Sequence, residues 1–151
     1  MLLRTHYAIS AFFILLFIPL VEAKVLFVVA VIIGTQLPDI DSRYSRLGYR
    51  KIARILQAFT KHRGMIHSFT FLISLTVVVV LVWPEASFGF FLGYSLHLFA
   101  DSFTPDGIRS FYPAKLKTKG KIKTAGRLEV IVLVMFVIAD VAMFVYRMGL
   151  L

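Results

Sequence analysis

Apolar residues run almost without interruption through FLISLTVVVVLVW at 71–83, and polar ones crowd its edges as KHRGMIHS before and Pro84 after. Four more runs have the same form, each bounded by charge or proline. A hydrocarbon core of about 30 Å needs roughly 20 helical residues, fewer where the bilayer thins. The pattern therefore predicts five spans: Tyr7 to Val21, Lys24 to Leu37, Met65 to Trp83, Ala86 to Phe103 and Leu128 to Tyr146. Glu22-Ala23-Lys24 beside Pro19 reads as a tight turn between antiparallel helices. Between Gly48 and Lys61, Ile52, Ile55, Leu56 and Phe59 recur at helical spacing with Arg50, Lys51, Arg54 and Lys61 facing water. That is the signature of an amphipathic helix lying in the membrane interface. The expected fold is all-α: a polytopic membrane helix bundle of about five transmembrane helices plus this interfacial helix, with residues 1–151 forming one domain.

Composition agrees with that reading. The chain is 59% hydrophobic and 17% charged with a mean hydropathy of +0.84, far from a soluble domain. Its net charge of +9 has two explanations, nucleic acid or basic loops, and position decides between them. Alternating the loops puts fifteen of the 17 Lys and Arg on one face; only Lys24 and Arg147 fall on the other. The basic face is accordingly expected on the cytoplasmic side, and no nucleic acid is expected, since no aromatics interleave with the lysines of KLKTKGKIK at 115–123. That run reads as an extended, mobile strand over lipid phosphates. No cleavable signal peptide is expected, because His6 would be lost with it. Cysteine is absent, which removes disulfides, thiolate metal sites and Cys nucleophiles.

The same alternation gathers the chemistry. His6 opens the first span, Asp39 and Asp41 follow the second, His62 and His67 flank the start of the third, and His97 and Asp101 lie near the inner end of the fourth. His97 and Asp101 are four apart, so one helix face stacks them a turn apart. Four His, three Asp and Glu129 supply enough ligands for a divalent metal, even two ions; Zn2+ suits such N/O donors best, with Mn2+ or Fe2+ as alternatives. Such a centre suits hydrolysis of a phosphoester, with Arg63 to clamp the phosphate and Ser68 and Thr104 to orient ligands. Glu129 ranks as the weakest ligand, since a first-turn acid also matches the helix dipole. Asp140, deeper in the fifth span, reads as a buried polar contact within the bundle.

Thr5-His6, LPDIDS at 37–42, HRGMIHS at 62–68, GYSLHLFADSFTPDG at 93–107 with FYP at 111–113, and AGRLE at 125–129 together resemble the YdjM-like family of inner-membrane proteins. The resemblance covers nearly the whole chain. It implies a metal-dependent hydrolase with His6, Asp39, Asp41, His62, His67, His97 and Asp101 as its core set, and the HR…HS and HxxxD pieces are also similar to zinc-dependent phospholipase C. The expected substrate is a phosphoester of a membrane lipid or isoprenoid phosphate, reached at the headgroup level, with His97, Asp101 and Arg63 at the reacting centre. Two other readings use the same residues: a divalent-cation transporter or metal-responsive regulator, and a metal-independent lipid phosphatase. The second would require a Lys-x6-Arg-Pro block and a PSGH segment, both absent.

Overall fold

A computed structural model describes residues 1–41 and 65–149, with backbone alone at Ile40 and Asp41. Five α-helices and no strands occur among the described residues: α1 Leu3–Phe17, α2 Lys24–Gln36, α3 Phe69–Val82, α4 Pro84–Ser102 and α5 Arg127–Arg147. The expected interfacial helix at 48–61 lies outside the described residues.

Each boundary has a local cause. Pro19 sits in a 3-10 turn, Ile18–Leu20, that ends α1, and the chain reverses through Glu22, whose carbonyl accepts from Lys24 N at 3.0 Å. α2 tightens into a second 3-10 turn, Leu37–Asp41, at Pro38. α3 begins at Phe69 rather than Met65 because Ser68 is extended and caps the helix: its hydroxyl accepts from Phe71 N at 3.2 Å. Pro84 opens α4 at the position where a missing N–H costs nothing.

The expected five spans are met in part. α2 and α3 hold 13 and 14 residues, which at 1.5 Å per residue is only about 20 Å of helix. Two helical stretches are long and apolar enough to cross a membrane, Leu3–Leu20 and Arg127–Arg147. The third span is shorter than expected, since Met65 to Ser68 form a turn before the helix.

α4 is the centre of the bundle, and its most extensive contact is with α2. That contact is close because glycines face backbone: a Cβ on Gly93 would sit 2.1 Å from Val31 O, and one on Gly34 2.4 Å from Phe90 O. Tyr94, Leu98, Leu72, Ile66 and Ile108 fill the core beside it. α5 packs on α1, and its outer faces, with Ile131, Met135, Ile138 and Phe144 exposed, are apolar. An apolar helix so little covered by its own chain is what lipid contact requires.

Candidate metal centre

The polar residues gather at one end of the bundle. α4 carries His97 and Asp101, both buried, on the face toward α1 and α2. α1 brings His6, whose ring stacks on His97 with centroids 4.0 Å apart and planes 6° from parallel. The 3-10 turn after α2 brings Asp39, and the turn before α3 brings His67, fully buried.

Four donor atoms face one another. His97 Nε2 lies 3.8 Å from both Asp39 Oδ1 and Asp101 Oδ2; His67 Nε2 lies 3.9 Å from Asp39 Oδ1 and 3.8 Å from Asp101 Oδ2. These separations are too long for hydrogen bonds. Donors sharing a zinc ion at ~2.0–2.2 Å stand roughly 3.3–3.6 Å apart in a tetrahedron, so these four N···O separations exceed that by a few tenths of an ångström, and two groups of three donors, Asp39 with His67 and His97 and His6 with His97 and Asp101, each lie within 4.8 Å of one another. His6 Nε2 approaches the other oxygen, Asp101 Oδ1, at 3.4 Å, and the Met1 amino nitrogen also contacts that oxygen.

The tautomer of His97 supplies the test of fit. Its Nδ1 lies 2.8 Å from Thr35 O, and a carbonyl only accepts, so Nδ1 carries hydrogen and donates it. Nε2 is then the ring's free coordinating atom. It is buried, and it has no hydrogen-bond partner among the described residues. A lone pair sealed against two carboxylates is unfavourable unless a cation lies between them. The donor set therefore fits a divalent ion, with the carbonyl-to-imidazole bond that metal-ligating histidines commonly show.

Several supporting residues escaped the sequence reading. Thr35 is fully buried; its hydroxyl donates to Val31 O and lies 2.8 Å from Ser10 Oγ on α1, which fixes the stretch of α2 whose carbonyl holds His97. Tyr94 Oη donates to Ile66 O at 2.7 Å and so steadies the turn that aims His67. Hydroxyls deep in an apolar helix were the available signal, as was a tyrosine one turn before His97.

The secondary candidates turn out to act on backbone. Thr104 Oγ1 donates to Asp101 O at 2.7 Å and accepts from Gly107 N at 3.2 Å, securing the end of α4. Ser68 caps α3 and donates to Met65 O. Glu129 is an anchor here rather than a cage donor: Oε1 accepts from Leu2 N at 2.5 Å and Thr5 Oγ1 at 3.0 Å, and Oε2 from Ala125 N at 2.5 Å. It thereby ties the start of α1 to the start of α5. Asp140 does not make the expected contact, since its shielded Oδ1 has no hydrogen-bond partner among the described residues. His62 and Arg63 lie outside the described residues, as does the side chain of Asp41.

Comparison with known proteins completes the picture. The family model described as "YdjM inner membrane protein" matches residues 1–149. "Inner membrane protein YdjM" of Escherichia coli (strain K12) is 34% identical over 93 residues, covering 56% of this chain and 47% of that protein. "Uncharacterized protein YvsG" of Bacillus subtilis (strain 168) is 25% identical over 91 residues, covering 58% of this chain and 57% of that protein. The matches thus span about half the length of these curated relatives. No solved structure matches the chain.

Proposed function

The chain belongs to the YdjM family of inner membrane proteins, and from that premise we propose that it is a metal-dependent hydrolase cleaving a phosphoester of a membrane lipid or isoprenoid phosphate. The observation that carries this reading is the meeting of Asp39, His67, His97 and Asp101, drawn from three separate parts of the chain, with their facing N and O atoms 3.8–3.9 Å apart. A divalent ion bound there, zinc by donor chemistry, supplies the positive charge that polarises a phosphoryl oxygen and strengthens water as a nucleophile.

The chain's own residues do the rest. Asp39 is about a quarter exposed whereas His67, His97 and Asp101 are sealed, so substrate enters over Asp39 while the bundle keeps water from the opposite side. Thr35 holds His97 in its coordinating tautomer. Arg63, close in sequence to His67, clamps the phosphate. In this reading all five helices sit within a locally thinned bilayer and the centre faces the cytoplasm, on the side rich in Lys and Arg. The lipid then arrives laterally with its tails still in the membrane.

The experiment has two stages. Metal content of the purified protein is measured before and after chelation, alongside His97→Ala and Asp101→Ala, and then a panel of phospholipids and isoprenoid phosphates is tested for turnover. Bound metal lost in both variants, with chelator-sensitive turnover, is the expected result. Tightly held metal with no turnover of any lipid, together with ion flux into vesicles, would replace hydrolysis by transport.

A further inference from the structure

The lysine run at 115–123 is not a loose strand. Ile108 and Thr118 exchange two backbone hydrogen bonds, each 3.0 Å, as an antiparallel pair. Gly120 N donates to Thr104 O and Ile122 N to Phe103 O, at 3.0 and 2.9 Å. Ser110 and Thr118 hydroxyls meet at 2.6 Å, and Ser110 O accepts from Phe69 N at the start of α3. Ile108, wholly buried, plugs this lobe into the core. The segment that follows Asp101 is thus pinned to the bundle through Thr118, Gly120 and Ile122.

Pinning turns a sequence alternation into a surface. Side chains of an extended segment point to opposite sides by turns. Thr118, Gly120 and Ile122 bond through their backbones to Phe103 to Ser110; alternation beside the Ile108–Thr118 pair sends Lys117 and Lys119 to one side, and Lys115, Lys121 and Lys123 are exposed with them. None of the five is in a salt bridge among the described residues.

The rail is also continuous with the membrane face. Phe103, whose carbonyl holds Ile122, meets Phe99 edge-on at 5.0 Å, and the two are 44% and 58% exposed. Phe111 and Leu116 on the lobe are exposed as well. Aromatic rings at the end of a membrane helix belong at headgroup depth, and lysines beside them reach phosphates while their stems stay on apolar surface.

We propose that the lobe from Phe103 to Lys123 is a headgroup-docking rail, on which five exposed lysines bind the anionic phospholipids of the adjacent leaflet. This rests on the inner-membrane placement alone and not on hydrolysis at the metal centre, so either can fail without the other. The lobe leaves α4 directly after Asp101, so lipids held on the rail are gathered beside the centre.

The test uses the full chain in nanodiscs of phosphatidylcholine, with or without about 30% phosphatidylglycerol. Amine labelling by a water-soluble reagent is read at each lysine by mass spectrometry, with Lys24 at the opposite end as reference. Labelling of the five rail lysines should fall severalfold with the anionic lipid, and recover at high salt. A Lys117→Gln, Lys119→Gln, Lys121→Gln variant should lose energy transfer from the lobe to a fluorescent phosphatidylglycerol. Unchanged labelling in the wild-type protein overturns the proposal, as does equal protection of Lys24. Stronger protection by an RNA oligonucleotide or an acidic polypeptide in the neutral nanodiscs would likewise assign the rail to a soluble polyanion.

Discussion

Replacing Gly93 by alanine adds one methyl group about a turn from His97 and tests whether helix packing sets the geometry of the candidate metal centre. The new Cβ would stand 2.1 Å from Val31 O, with Val31 C at 2.9 Å and Thr35 N at 3.0 Å. Every one of these neighbours is α2 backbone, which cannot rotate away as a side chain would. Contact with the carbonyl oxygen falls about 1.3 Å short of an ordinary 3.4 Å separation, so α2 and α4 must part. The Thr35 carbonyl rides on that same stretch of α2 and holds His97 Nδ1 at 2.8 Å. A displacement of only ~0.7 Å, half of what the clash demands, stretches that bond to the limit of hydrogen bonding. Overpacking of this kind costs about 1–3 kcal/mol, and loss of a bond orienting a metal-ligating histidine lowers affinity about 10–100-fold. Thermal unfolding in detergent reads the first effect, and zinc titration of the chelated protein the second. Phe91→Leu, at an exposed position on α4, is the control and should alter neither. Wild-type stability and zinc affinity in Gly93→Ala would refute the argument that close backbone contact aims His97.

Other substitutions separate holding an ion from holding the chain. His67→Ala, which removes one of the four facing donors, should lower zinc affinity roughly a hundredfold or more in the same titration. Glu129→Gln weakens the anchor to Leu2, Thr5 and Ala125 and should cost ~2 kcal/mol of stability while zinc affinity stays within about tenfold; abolished binding at unchanged stability would make Glu129 a ligand. Thr35→Val leaves buried Ser10 without its 2.8 Å partner and should cost ~1–2 kcal/mol in thermal unfolding. Ser68→Ala removes the cap of α3 and should cost about 1 kcal/mol, read the same way.

The sequence by itself determined that this is a helical membrane protein and that its polar chemistry collects at one end. Apolar run length, proline and loop charge act locally along the chain, so His6, Asp39, His67, His97 and Asp101 could be brought to one depth before any packing was known. The spacing of His97 and Asp101 on one helix face was legible for the same reason. Helix ends were less so, because Met65 and Ile66 suit a helix as well as a turn, and the cap at Ser68 is what sets the start of α3 at Phe69.

Tertiary structure decided which polar groups hold the chain and which face the cage. Glu129 and His67 look alike in sequence, each an ionisable residue beside an apolar run, yet one binds the backbone amides of distant Leu2 and of Ala125 in the turn before its own helix, and the other faces carboxylates from α4 and the turn after α2. Thr35 gives no metal-ligand signal of its own; its role comes from a backbone carbonyl that the glycine contacts of α2 and α4 bring within reach of His97. Nor does the alternation in KLKTKGKIK say that Ile108 pins it. Each of these roles depends on contacts between residues distant in the chain, and neither periodicity nor composition encodes such contacts.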